Sequence, residues 1–320
     1  MKRVGIIGGE THIGEITALN GQKVEIAGAF VRPDQAEAAR TEFGCPVFDS
    51  VDALLDAGLD IVAIANENDL RMDGIVPALE RGCDLVVDKP LCIRVDDQDR
   101  IEAMLNEQTH RKLLMLLTLR GTPVYMGMQQ AVASGRIGEP VFTHVRMAVR
   151  LKREERPPWF LDSQRSGGLF LDLLIHGLDA LEWITGHSVV SLVAQTGNLD
   201  NPEDPEIRDH ASVYCRMDDG STAIVEGQRM LPDSMGSDYR VHVAGTQGFA
   251  DLDLVAGTLR VTDPGGADAP VETLPEPISV VADWLDGGIV VPQSASLRAN
   301  RLALLATASS EDTCPREVPT

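Results

Sequence analysis

Between residues 3 and 119 the chain alternates short apolar, β-branched runs with amphipathic stretches of helical period. Strands joined by helices rather than by tight turns must run parallel, because each helix carries the chain back across the sheet. The runs at 3–8, 24–31, 60–65, 85–87 and 112–119 therefore read as strands of a doubly wound parallel sheet. Helices are predicted at 35–43, 50–56, 74–81 and 96–106, with another starting near Ile13. Sheets of this kind bind ligands beyond the carboxyl ends of their strands, so the region is a nucleotide-binding candidate.

After Arg120 the pattern changes. A helix is predicted at 125–134, a strand at 140–151, a charged, proline-containing loop at 152–158 and a helix over about 168–185. Strand-like stretches follow at 187–195, 210–217, 221–229, 239–244 and 258–261, parted by turn signals such as Asp218-Asp219-Gly220. Strands joined by tight turns pair antiparallel. A helix at 294–310 closes the chain. The expected organisation is an α/β dinucleotide-binding domain over 1–120 and an α+β domain with a large, mostly antiparallel open sheet over 121–320.

Composition narrows the function classes. With 49 acids against 28 bases the net charge is −21, which repels nucleic acid and anionic membranes. The longest apolar run, at 113–117, is far below the ~18 residues of a membrane span, and the N-terminal run is too short for a secretory signal. The expectation is a cytoplasmic protein starting at Met1. Five cysteines, an odd number with no CxxC pair, read as reduced packing residues and supply no metal site.

Chemistry-bearing residues fall in four places. The first strand ends in Gly8-Gly9-Glu10-Thr11-His12-Ile13-Gly14, a glycine turn that departs from GxGxxG spacing and reads as a phosphate cradle or as an ordinary strand-to-helix turn. At the end of the second strand, where an acid would bond the adenosine ribose, Val31 and Arg32 stand instead. Arg32 is either a solvated loop arginine or a partner for a 2′-phosphate, which favours NADP over NAD.

Lys89 precedes Pro90, which should extend its strand to the carboxyl edge of the sheet. An ammonium there polarises or protonates an oxygen, unless it is a plain surface lysine. The predicted helix at 168–185 is apolar almost all round, yet it carries Asp172, His176 and Asp179 at i, i+4 and i+7. That stripe reads as the wall of a polar cleft with His176 as a proton acceptor, or as a core histidine tied to its carboxylate. A metal site lacks a third ligand at a telling spacing.

Taken together, several stretches resemble the Gfo/Idh/MocA oxidoreductase family, the group of glucose-fructose oxidoreductase and inositol dehydrogenase. They are 4–8, 60–65, Val87-Asp88-Lys89-Pro90-Leu91, 134–140, Ser166-Gly167-Gly168 with Asp172 and His176, and 243–248. The resemblance implies a Rossmann domain followed by an α/β domain with an open sheet. It implies Lys89, Asp172 and His176 as the catalytic group, with His176 taking the hydroxyl proton and Lys89 polarising the oxygen. The expected cofactor contacts are Gly8, Thr11, His12, Ile13, Arg32, Ala65, Asn66, Asn68 and Asp88, and the expected substrate contacts are Arg120, Trp159 and Asp172. The resemblance also implies a homodimer or homotetramer. The sequence departs from the family in its longer glycine turn, in the missing acid after the second strand, in Asn66-Glu67-Asn68 where Thr-Pro-Asn is usual, and in Asp88 where Glu is usual.

The leading expectation is an NAD(P)-dependent oxidoreductase moving hydride between a nicotinamide and a sugar, cyclitol or related polyol. An NAD-assisted hydrolase, lyase or epimerase and a non-catalytic nucleotide-binding regulator are the alternatives.

Overall fold

In a computed structural model the described residues are 1–9, 13–266, 268–271 and 273–319. They cluster into two units, residues 1–118 with 278–300, and residues 119–277 with 301–320. The sequence reading places 278–300 in the second region; in the structure this segment belongs to the first unit.

In the first unit, β1 (Lys2–Ile7), β2 (Val24–Phe30), β3 (Ile61–Ile64), β4 (Asp84–Val87) and β5 (Leu113–Met115) form a parallel sheet in the order β2-β1-β3-β4-β5. Strands β3 and β5 are buried along their whole length and β4 from Leu85 on, as a sheet covered by helices on both faces requires. Ser50 caps the helix Val51–Leu55, accepting from the Ala53 amide at 3.1 Å, as its hydroxyl predicts. The chain leaves β1 for one neighbour and returns to its other side with β3, so the strand order reverses at the carboxyl ends of β1 and β3.

The returning segment covers an edge. On β5, the Leu113 amide donates to Gln293 Oε1 and the Met115 amide to Ser296 Oγ, both at 2.9 Å. Side chains of the helix Gln293–Asp312 thus satisfy edge groups that β5 has no strand to pair with. Lys23 pairs with Asp286, and Ser279 donates to Glu15, both at 2.6 Å.

In the second unit nine strands, among the described residues, form one sheet. They are β6 (Pro140–Val149), β7 (Val189–Gly197), β8 (His210–Met217), β9 (Thr222–Gln228), β10 (Ser237–Gly245), β11 (Phe249–Asp253), β12 (Thr258–Thr262), β13 (Asp268–Pro270) and β14 (Arg316–Glu317). The order is β13-β12-β11-β10-β6-β9-β8-β7-β14. Every pairing is antiparallel except β6 with β9. Along β8 the residues alternate buried and accessible, so one face lies under helices and the other is open. The helix Ile175–Thr185 seats on the covered face where Gly177 meets Val225 and Val145; a β-carbon there would stand 2.7 Å from Val225.

Candidate active site

The first unit holds a cleft of about 700 Å³ at the reversal point. Ile7 and Gly8 reach it from β1, Phe30, Val31 and Arg32 from β2, and Asn66 and Glu67 from the turn after β3. Gly8 has φ +79°, and a β-carbon on it would lie 2.3 Å from the Asn66 amide nitrogen, so only glycine brings the backbone this close. The Ala65 amide donates to Ile7 O at 2.7 Å and ties the two strand ends together. Asn66 donates to Leu70 O at 2.8 Å, while its buried Oδ1 accepts nothing from the described residues.

Arg32 lies at the edge of this cleft and pairs with Asp34 at 3.2 Å and Glu67 at 3.1 Å. The guanidinium holds the Asp34 carboxyl below its ordinary value. Thr11 and His12, expected to touch cofactor, lie outside the described residues, while Ile13 is buried at the start of the helix Gly14–Thr17. A strand-end cleft with a glycine contact, a buried acceptor and a guanidinium fits the adenosine end of a dinucleotide; Gly8, Asn66 and Arg32 would hold it.

Two residues expected to touch cofactor are engaged differently. Asn68 accepts from Arg71 Nη2 at 3.2 Å, and Asp88 stands 3.7 Å from the same guanidinium, both ions being almost wholly buried. Arg71 also donates to Ile64 O at 2.8 Å and to Lys89 O at 3.5 Å. Arg71 therefore braces the segment after β4 from inside. Lys89 itself, half-buried, lies beyond the end of β4 at Val87, not within an extended strand as predicted, and its bond to Pro90 is cis.

In the second unit the predicted helix at 168–185 is two pieces. Phe170–Leu174 is a π-turn, and the α-helix begins at Ile175. The wider turn interrupts the α-helical spacing that places Asp172 above His176 and Asp179. Leu174 presses against Gly227 of β9, where a β-carbon would stand 2.2 Å from Leu174 Cδ1. The polar stripe is accordingly divided between partners. Asp172 pairs with Arg229, just past β9, and the two side chains are 15% and 6% exposed. Asp179 forms a two-pronged pair with Arg120, at 2.9 Å from Nε and 2.7 Å from Nη2. His176 lies between them in sequence and is partly accessible.

Arg120, expected to touch substrate, is buried in that pair and lies over the Trp183 ring at 5.3 Å. Burial pushes the Asp179 carboxyl up from its ordinary value, and the guanidinium opposes the rise. Trp159, the other such residue, is 6% exposed in the short helix Pro158–Leu161 and meets Phe160 edge-on at 5.9 Å. Burial lowers the Arg229 guanidinium from its ordinary value, with Asp172 acting in the opposite direction. The Tyr239 phenol is pushed up to about 12, by burial first and then by the Asp172 charge.

Arg71, Arg229 and Tyr239 were not singled out by sequence. Arg229 closes the run at 221–229 and Arg71 opens the helix Arg71–Glu80. A basic residue next to a buried element was the available signal in both cases.

Residues 2–116 match the family described as "Oxidoreductase family, NAD-binding Rossmann fold", and residues 125–251 match the "GFO/IDH/MocA C-terminal domain". An inositol 2-dehydrogenase of Rhizobium meliloti is 30% identical over 257 residues, covering 77% of this chain and 74% of that protein. A scyllo-inositol 2-dehydrogenase (NAD(+)) of Bacillus subtilis is 28% identical over 249 residues, covering 77% and 69%. Among solved structures, a levoglucosan dehydrogenase in complex with NADH superposes with TM-score 0.86 at 16% identity over 99% of each chain. An oxidoreductase domain protein from Kribbella flavida superposes at 0.85, with 17% identity over the whole of both chains. The chain therefore belongs to the Gfo/Idh/MocA family of oxidoreductases, whose N-terminal domain is an NAD-binding Rossmann fold.

Proposed function

We propose that this protein is a nicotinamide-dependent dehydrogenase acting on a CH–OH carbon of a sugar, cyclitol or related polyol. The carrying observation is the mostly apolar helical segment 170–185 that holds Asp172 and His176, with the Asp172 carboxylate locked by Arg229. Inositol dehydrogenases among the relatives support the substrate class.

His176 is assigned the hydroxyl proton, because a neutral imidazole accepts one near neutral pH. Asp172 binds a substrate hydroxyl or orients the imidazole, and Arg229 holds its carboxylate in place. Lys89 polarises the oxygen, and Arg71, through Asp88 and the Lys89 carbonyl, sets where that lysine starts. The bound nicotinamide supplies the hydride acceptor. The Arg120–Asp179 pair, buried against the Trp183 ring, is assigned a positioning role.

The finer cofactor reading is NADP. Arg32 and Arg40 both line the cleft, and neither residue directly after β2, Val31 or Arg32, is an acid; Asp49 and Glu67, which also line it, and Asp34, which pairs with Arg32, offset that charge. The free thiols of Cys45, Cys83, Cys92, Cys215 and Cys314 support a cytoplasmic setting. The open sheet face, with Tyr214 49% and Phe249 39% exposed, supports a homodimer or homotetramer, measurable by light scattering.

The test is reduced-nicotinamide absorbance with a panel of sugars and cyclitols under NAD⁺ and NADP⁺. At least one compound is expected to turn over, with a lower KM for NADP⁺. Lys89→Ala and His176→Ala should each cut kcat by about 10²-fold or more while the circular dichroism is unchanged. Normal turnover by both variants would overturn the roles, and a lower KM for NAD⁺ would overturn the cofactor preference.

A further inference from the structure

Around Asp172 the side chains offer more positive charge than the helix needs. Arg229 and Arg156 both lie on the Phe160 ring, their guanidinium carbons 4.7 Å and 4.2 Å from its centroid. Arg229 is committed to Asp172. Arg156, half-buried, donates from Nε to Leu151 O at 3.4 Å and pairs with no carboxylate among the described residues. Arg208 lines the same small hollow, about 20 Å³, as Arg229 and Phe160, and its guanidinium bonds the carbonyls of Pro205 and Ile207. Of the acids at the cluster, Asp172 is held by Arg229 and Glu206 accepts from Ser163 Oγ at 3.1 Å. Next to Phe160, the buried Trp159 indole N–H also has no acceptor among the described residues.

Exposed arginines such as Arg94 and Arg136 are solvated by water, whereas Arg156 is half-buried and stacked on a ring beside a second guanidinium. A planar fork stacked on an aromatic ring is preorganised for an oxyanion, and an acceptor-only ligand is what a surplus of donors requires. We propose that the substrate carries an anionic group, a carboxylate or phosphoryl, received by Arg156 with Arg229 beside Asp172. This rests on the dehydrogenase reading and names the substrate class within it. The anion fixes the polyol by its charged end and leaves a hydroxyl for oxidation.

The experiment compares kcat/KM for matched compounds: glucose, glucuronate and glucose 6-phosphate, and likewise galactose, galacturonate and galactose 6-phosphate, under both nicotinamides. One anionic class should exceed its neutral parent by about tenfold or more, and which class does so separates carboxylate from phosphoryl recognition. Arg156→Gln should lower that anionic-to-neutral ratio by about tenfold, and Arg156→Lys should restore part of it. Higher salt should lower the ratio in the parent enzyme. Neutral compounds turned over as well as both anionic classes would overturn the proposal and leave the dehydrogenase reading standing. An unchanged ratio in Arg156→Gln, with the fold intact, would overturn the role of Arg156. Cofactor binding without reduction by any neutral or charged polyol would overturn the dehydrogenase reading, and the proposal with it.

Discussion

Arg229 donates to the carboxylate of Asp172 across 57 positions of sequence, joining the end of a central strand to a π-turn. Both side chains are largely out of water, so neither can lose the other without leaving a charge poorly solvated.

Arg229→Ala should therefore destabilise the protein by about 3–5 kcal/mol, as removal of one member of a buried pair does. Arg229→Lys keeps the charge but not the planar fork, and should lose less. Urea unfolding measures both. An alanine variant as stable as the parent would show that the pair does not hold the π-turn.

The second buried pair gives a sharper test, because it can be replaced whole. Asp179→Ala should cost about 3–5 kcal/mol by stranding Arg120, whereas Arg120→Met combined with Asp179→Leu should recover most of that loss. A double-mutant cycle reads the coupling directly. If the combined variant is no better than the sum of the single ones, packing rather than charge pairing explains the site.

What the sequence displays of this fold is what local period and turn chemistry encode. The five parallel strands follow from β-branched runs parted by amphipathic ones, and the Ser50 cap from a hydroxyl three residues before a free amide. The strand Phe249–Asp253 escapes notice because two aspartates dilute its alternation. The π-turn has no local mark: Phe-Leu-Asp-Leu-Leu suits an α-helix, and it is Leu174 against Gly227, a tertiary contact, that accompanies the wider turn. Partners are the least legible. Asp172, His176 and Lys89 stand out as chemistry in apolar surroundings, while Arg229 and Arg71 look ordinary until the chain folds around them. The return of 278–300 to the first unit rests on Gln293 and Ser296 meeting edge amides of β5, which no nearby residue announces.

Alkaline stability follows from buried groups that keep their protons. Burial raises the Cys215 thiol to about 12 and the Tyr239 phenol to about 12. In the unfolded chain these ionise near 9 and 10, so above pH ~9 the unfolded state binds fewer protons than the native one. Stability contributed by these groups is complete below that range and is lost as pH rises toward 12. The slope approaches about 1.4 kcal/mol per pH unit for each group. Urea unfolding across pH 8–11 should show the fall, and Cys215→Ala with Tyr239→Phe should flatten it. The same burial leaves Cys314 as the exposed thiol, so Ellman's reagent should titrate one thiol in the native protein and five in guanidinium. Two or more fast-reacting native thiols would contradict this packing.

The glycine turn separates two residues that look alike in sequence. At Gly8 an alanine β-carbon would meet the Asn66 nitrogen at 2.3 Å and the Ala65 carbonyl carbon at 2.6 Å, all backbone and none able to swing away. The φ of +79° adds about 1–3 kcal/mol of its own for a non-glycine residue. At Gly9 the nearest atom to a β-carbon is Phe43 Cζ at 4.0 Å, an ordinary contact. Gly8→Ala should therefore push the strand ends of β1 and β3 apart, destabilise the protein and weaken nicotinamide dinucleotide binding by at least tenfold. Gly9→Ala should leave both within about twofold of the parent. Calorimetric titration with NAD⁺ and NADP⁺, beside urea unfolding, reads the two effects separately. If Gly9→Ala loses binding while Gly8→Ala keeps it, the phosphates of the cofactor rest on the second glycine, and the cleft at the β1 and β3 ends is not where the dinucleotide lies.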